Sequence, residues 1–511
     1  MTQIQAIHQQ QWGGKEPAPP DRRTQQQFRL VLIALAILSA LVFWYATRWG
    51  IGLSPDSGFY IKSARHMLGR EHVDPAQTRE MSSHFPPAYP LLLAGPSIFG
   101  ADPQTMARPI NLLLFGASAM LVATIVHQIT RANLAAFLAG LFLVFLPDSL
   151  AMYATALSEG LFITLLLATF LFLNQYARSP SVNRLLAAGG FGASMILARY
   201  AGVAIVPAGA IFILWTSRTR RLQRALLFVA VALAPLLLVA LINKILWGSS
   251  VNRTSAFHPL TTHHVRDFAL TAAQWLLPQQ LSKTKLIVFG IFITLAGLTA
   301  VVLALNSRTP SATIAALFVC CYLATLAASI SFVDYHTPVD ERLLLPVAIA
   351  LIPVMARAAQ HLPSRLALSI ALIVTVVTAR GVGHARTLHR DGIGYASPAW
   401  EQSELIQAIH QQPRDQVIYS NAADVVYLVA RRQAFPLPAK VIPTSTRPNP
   451  DFENQMIQMA QQLTQHGAKL FYFKRFESKR PYYPSETDLR AHRFTESARF
   501  KDGSIYTVTG S

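Results

Sequence analysis

Apolar runs of about twenty residues recur along the first three-quarters of this 511-residue chain, each long enough to cross a bilayer core as a helix. Hydrocarbon offers no partner to a backbone N–H or C=O, so such runs are confined to helices that satisfy themselves. Hydrophobic residues make up 52% of the chain and charged residues only 14%, well below the roughly one-quarter charged of a soluble domain. Placed between breaker residues, the runs fall near 29–48, 107–127, 133–147, 158–176, 185–198, 201–216, 225–246, 284–305, 311–331, 342–359 and 364–380, about eleven helices. The 185–198 run is short and holds Gly189, Gly190 and Gly192. The proline-rich run 86–100 is too short to span and is expected at the interface or tucked against other helices. The first run starts near Phe28, after a polar Gln-rich tail at 1–28, and is too long for a cleavable signal peptide.

Basic residues set the orientation. Lys15, Arg22, Arg23 and Arg29 precede the first span, and Arg178, Arg184, Arg218, Arg220, Arg221, Arg224, Arg308, Arg357 and Arg365 fall in short turns that eleven spans place on the same side. The positive-inside bias makes that side the cytoplasm. The longer loops, about 49–106, 148–157, 248–283 and 332–341, then share the opposite face with the tail 381–511. Lys62, Arg65, Arg70 and Arg79 in the first of these loops run against the trend, beside Glu71, Asp74 and Glu80. The tail reads as a small extracytoplasmic α/β domain: strands at 416–420, 469–473 and 504–508, with helices opening at Asn421 and over 451–466. The whole predicts an all-α polytopic membrane bundle over 29–380 carrying a small C-terminal α/β domain.

Two compositional leads go elsewhere. The formal charge of +19 lies mostly in loops between spans, where arginines orient helices, so nucleic acid is not an expected partner. Cys320 and Cys321 are neighbours inside one span and point different ways, so neither a disulfide framework nor a cysteine metal site is expected.

Chemistry-bearing residues gather at the outer ends of the spans. Asp56, in Ser54-Pro55-Asp56-Ser57-Gly58-Phe59-Tyr60, is placed either as a general base at the membrane–water boundary or as a helix N-cap. Tyr60, four residues on, lines the same cavity or anchors in the headgroup region. Asp148 ends one span and Glu159 starts the next, after Ser158; each alone suits a helix end, and together they could orient an acceptor and take its proton. Arg199, Arg253 and Arg342 offer guanidinium forks suited to phosphate, or else pair with these acids. His84, beside the Pro86-Pro87 step, is a further candidate phosphate contact. Carboxylates near phosphate could also recruit a divalent cation such as Mg²⁺, although no metal-ligand cluster or glycine-rich phosphate loop is visible.

In order and position these segments resemble the polytopic glycosyltransferases of the GT-C fold, in the branch of protein O-mannosyltransferases and lipid A 4-amino-arabinose transferases. The resemblance covers roughly 29–380 and rests on Pro55-Asp56-Ser57-Gly58-Phe59-Tyr60, Phe85-Pro86-Pro87-Ala88-Tyr89-Pro90-Leu91, Ser158-Glu159-Gly160-Leu161-Phe162, Ala198-Arg199-Tyr200 and Glu341-Arg342-Leu343-Leu344-Leu345-Pro346. It implies a catalytic aspartate in the first outer loop, the position of Asp56, and a helping acid in the next, which Glu159 matches better than Asp148. It also implies a polyprenyl-phosphate sugar donor held in membrane lipid, and inverting transfer to a hydroxyl acceptor. One departure stands out. Several members place a lysine directly before the Pro-Pro step, where this chain has Phe85, with His84 one further back, so donor contacts come from elsewhere. A lipid-linked sugar transporter or flippase would show repeated halves or charges near the midplane, and neither is visible. A non-catalytic scaffold of a glycan pathway stays open at the level of sequence.

Overall fold

The computed structural model describes residues 22–73, 78–79, 81, 85–248, 257–278, 280–307, 309–333, 338–361, 363–441, 447–465 and 467–508. It divides into two compact units: Met1–Arg48 with Tyr60–Arg390, and Trp49–Phe59 with Asp391–Ser511.

The first unit is helical. Among the described residues, eight helices are long and apolar enough to cross a membrane, and a bent pair makes up to nine. The eight are Arg22–Ala46, Pro103–Thr130, Glu159–Arg178, Arg221–Trp247, Lys283–Asn306, Pro310–Phe332, Glu341–Ala359 and Leu368–Asp391. All eleven expected runs are helical, yet Val182–Ala198 and Tyr200–Thr216 are shorter apolar helices, so length and composition do not establish eleven crossings. The last helix runs on to Asp391 rather than ending near 380. The bent pair, Asn133–Phe145 and Pro147–Tyr153, turns by 64°. The cause is local: Leu146 is extended at ψ 118°, because the ring of Pro147 excludes the residue before it from helical geometry.

Three stretches expected as loop also fold. Pro55–Met67 and Ala88–Ser97 are helices within the first outer segment. Thr262–Gln274 is a helix capped by Thr261, whose backbone N–H donates to His264 Nδ1 at 3.2 Å. Pro55–Met67 and Thr262–Gln274 are too short and polar, and Ala88–Ser97 too short, to show the long apolar run that marks a span. Cys320 and Cys321 are free thiols within the Pro310–Phe332 helix.

The second unit is built on a five-stranded sheet: β1 (Ile418–Ser420), β2 (Phe435–Pro436), β3 (Lys469–Phe473), β4 (Phe494–Arg499) and β5 (Gly503–Val508), in the order β2-β1-β3-β5-β4. β1 runs parallel to β2 and β3, whereas β5 pairs antiparallel with β3 and β4. Strand pleating sends alternate side chains of β3 to opposite faces: Phe471 and Phe473 join Trp400, Ile406 and Val426, and Leu470 and Tyr472 join Met456, Leu463 and Leu489. The strands expected at 416–420, 469–473 and 504–508 are present, as are helices Ala423–Leu428 and Phe452–Gln465.

A short segment from far upstream is sewn into this unit. The Leu53 N–H donates to the Ile393 carbonyl at 3.4 Å, and the Tyr395 N–H to the Leu53 carbonyl at 2.9 Å, making a parallel bridge with Gly394. Gly394 sits at φ +57°, and a Cβ there would lie 2.0 Å from the Leu53 carbonyl oxygen, so both backbone conformation and space demand glycine. Tyr395 is itself pinned: its hydroxyl donates to Asp424 at 2.6 Å, and Arg480 grips both Asp424 oxygens at 2.7 and 2.8 Å.

Candidate active site

Glu159 is the centre of the site in the helical unit. It opens the Glu159–Arg178 helix with its side chain 2% exposed. Burying a lone carboxylate costs several kcal/mol unless it is paired, and here two guanidiniums supply the pairing. Arg342 Nε donates to Glu159 Oε1 at 2.7 Å, and Arg199 Nη1 forms an ion pair with the same oxygen. The other oxygen, Oε2, is buried with no hydrogen-bond partner among the described residues. One negative charge against two positive ones leaves the cluster net cationic. Both arginine side chains are partly accessible, 18% for Arg199 and 32% for Arg342.

Local sequence explains how each arginine arrives. Arg199 occupies an extended break, φ −151° and ψ 132°, between the Val182–Ala198 helix and the 3₁₀ turn Tyr200–Ala204. Its carbonyl accepts from the Gly202 N–H at 2.8 Å, and a Cβ on Gly202 would press to 3.0 Å against the Ile196 and Met195 backbone. The tight return thus depends on a residue without a side chain. Arg342 stands in the first turn of Glu341–Ala359, whose N-cap Asp340 accepts from the Leu343 N–H at 3.1 Å. The buried Tyr322 hydroxyl donates to the Leu343 carbonyl at 2.9 Å and fixes that turn from the neighbouring helix.

Tyr60 reaches the same place. It is buried, and its hydroxyl shares a hydrogen bond of 2.9 Å with Ser158, directly before Glu159. Its ring stands edge-on to Tyr89 and Phe85 at 5.2 and 5.1 Å. Beneath it runs a polar chain that sequence reading missed. The Tyr89 hydroxyl donates to Asn111 Oδ1 at 3.0 Å, and Asn111 Nδ2 donates to the Tyr153 and Thr155 carbonyls at 2.9 and 2.7 Å. Tyr153 in turn donates to Ser118 at 2.6 Å. These bonds fix the 153–157 connection that delivers Glu159. The available signal was Asn111, a buried amide inside an apolar run, which is costly in a bilayer unless it is used.

Asp56 lies in the second unit, in the first turn of Pro55–Met67. It is not the cap of that helix. Ser54 fills that role through a reciprocal pair: the Ser54 N–H donates to Ser57 Oγ at 3.0 Å and the Ser57 N–H to Ser54 Oγ at 3.4 Å. Pro55 at the first helical position completes a strong start signal. Asp56 sits inside the helix, one residue past Pro55, and it is half-buried. Asp56 and Tyr60 are four residues apart in one helix, the spacing that lines side chains on one face.

Of the remaining candidates, only Asp148 lies among the described residues. Asp148 sits in the first turn of Pro147–Tyr153, and its Oδ2 is buried with no hydrogen-bond partner among the described residues. Its charged surroundings are Glu341, Arg380 and Asp340. His84 and Arg253 lie outside the described residues. Among the described residues, no group of three or more His, Cys, Asp or Glu side chains is arranged to hold a metal ion.

Residues 84–247 match the family described as dolichyl-phosphate-mannose-protein mannosyltransferase. The fold is similar to solved structures of ArnT from Cupriavidus metallidurans, one bound to undecaprenyl phosphate and one in the apo state. Each has 13% identity and a TM-score of 0.60, over 94% of this chain and 98% of that one. A weaker likeness is to the S. cerevisiae protein O-mannosyltransferase Pmt1–Pmt2 complex bound to the sugar donor: 14% identity, TM-score 0.36, 52% of this chain and 40% of that one. No curated protein matches the sequence. The chain therefore has the GT-C-type fold of the ArnT structures, with up to nine apolar helices long enough to cross a membrane among the described residues, and its family match is confined to residues 84–247.

Proposed function

We propose that the protein transfers a sugar from a polyprenyl-phosphate carrier to a hydroxyl acceptor, with inversion, at the outer face of a bacterial inner membrane. The observation that carries this reading is the shared grip of Arg199 and Arg342 on one oxygen of buried Glu159. That arrangement leaves net positive charge on two partly accessible arginine side chains, which suits a departing lipid phosphate. The ArnT structure holding undecaprenyl phosphate supports a polyprenyl carrier.

In this mechanism the acceptor oxygen attacks the anomeric carbon from the face opposite the phosphate. Asp56 takes the acceptor proton as the new C–O bond forms, and the bond from the anomeric carbon to the phosphate oxygen breaks. Arg199 and Arg342 receive the charge that develops on that oxygen. Glu159 orients both arginines, Tyr60 lines the acceptor side, and Asp148 is a supporting acid. Arg253 and His84 are proposed as further donor contacts. The N-terminus is placed in the cytoplasm and the 381–511 domain outside, following the basic turns.

The test is transfer from a labelled polyprenyl-phosphate sugar by the full chain in nanodiscs. Transfer, or slow donor hydrolysis, that vanishes in Asp56→Asn and falls steeply in Arg342→Gln supports the reading. Movement of intact donor across the bilayer with no bond cleavage overturns it in favour of transport.

A further inference from the structure

A second cationic site lies on the flank of the helical unit and shares no residue with the Glu159 cluster. A groove of ≈ 1080 Å³ opens between the ends of Arg22–Ala46, Pro103–Thr130 and the helix finishing at Asp391. Arg48, Arg108, Arg386 and His389 line it, and among the described residues no carboxylate does. Its wall is apolar and aromatic, with Leu41, Trp44 and Phe145 among the lining side chains. Leu41 is 64% and Trp44 61% exposed, so this wall faces outward from the bundle, toward lipid.

The cations are arranged rather than scattered. The Arg108 guanidinium lies over the Trp44 ring at 3.8 Å and donates to Thr47 Oγ1 at 3.1 Å. Arg48 Nη1 is 3.3 Å from His389 Nε2, and His389 stacks on Tyr45 at 4.1 Å. Arg386 is exposed and has no hydrogen-bond or ion-pair partner among the described residues. Three guanidiniums at the end of an apolar channel match one ligand chemistry: a phosphate head with net negative charge, followed by an acyl chain.

We propose that this groove binds an anionic glycerophospholipid of the surrounding leaflet, with its phosphate between Arg108 and Arg386 and one acyl chain along Leu41 and Phe145. Lateral access decides in favour of a bulk lipid. Exposed Leu41 and Trp44 put its wall on the bundle's flank, and none of Tyr60, Ser158, Arg199 and Arg342 lines it. A bilayer lipid enters it without crossing the site of transfer.

The experiment is native mass spectrometry of the full, delipidated chain titrated with phosphatidylglycerol, phosphatidylcholine or undecaprenyl phosphate. Phosphatidylglycerol is expected to bind more tightly than phosphatidylcholine. Arg386→Gln should weaken it by about fivefold, the share one arginine contributes near an anionic surface. Arg108→Gln should act in the same direction, but it also breaks the Thr47 contact. Arg386→Gln, an exposed change, therefore carries the test. Equal affinity for the two phospholipids, or unchanged binding in Arg386→Gln, overturns the proposal. Displacement of phosphatidylglycerol from this groove by undecaprenyl phosphate also overturns it, because the groove would then serve the carrier.

Discussion

Glu159 concentrates the electrostatics of the helical unit in one buried oxygen. Replacing it by glutamine keeps the shape but removes the charge that holds Arg199 and Arg342 together. Breaking such a buried pair costs about 3 kcal/mol. We therefore expect Glu159→Gln to lower the thermal midpoint clearly and to slow transfer without changing inversion, measured by scanning fluorimetry and product stereochemistry. In the α/β unit, two groups set opposite ends of a pH window. Burial works against ionisation at Asp488, but the Ser485 N–H and the Lys440 ammonium outweigh it and hold the carboxyl at about 2. A depressed pKa stabilises the fold above the unfolded carboxylate value and is lost as pH falls toward 2. His492 is pushed up by the Asp488 carbonyl, against burial, with Glu453 adding to the rise. Its contribution is complete below the unfolded histidine value and disappears as pH climbs through the raised one. A thermal midpoint that stays flat from pH 5 down to pH 2 would contradict the Asp488 half of this account, and Asp488→Asn should flatten that limb.

Individual elements show where sequence sufficed and where it did not. The spans announce themselves because hydrocarbon admits little else, and charges at their ends stand out for the same reason. Asp56, Glu159, Arg199 and Arg342 were legible in that way. The meeting of Glu159 with Arg199 and Arg342 was not: Arg342 and Glu159 are 183 residues apart, and no local pattern records that they meet. The Tyr89–Asn111 link went unread because a polar side chain such as Asn111 inside an apolar run looks like a tolerated exception. β4 was missed because Phe494 is its one large apolar side chain, and β2 because it is two residues long. The break that presents Arg199 offers a prediction at this scale. Gly202→Ala puts a methyl at 3.0 Å from the Ile196 and Met195 backbone. The turn must open by a few tenths of an ångström, enough to disturb a placed guanidinium. Transfer should fall at least tenfold while the thermal midpoint moves by only a few degrees. Equal activity in the variant would show that the turn has room to give.

At the scale of the whole molecule, the segment carrying Asp56 folds with the C-terminal unit and not with the helices around it in sequence. The parallel bridge between Leu53 and Gly394, with Tyr395 locked by Asp424 and Arg480, makes residues 391–511 a clamp on the proposed base. Gly394→Ala adds a Cβ 2.0 Å from the Leu53 oxygen and should lower the turnover rate more than donor affinity, read as a split between kcat and KM. A kcat left untouched would mean that the clamp has no hold on the chemistry. This link also bears on how such a chain can change over time. A tail that only decorated the membrane bundle could be lost, traded or regrown freely. One that grips the segment bearing the base ties the inheritance of the two ends together, so swapping this tail for a relative's would require moving residues 49–59 with it.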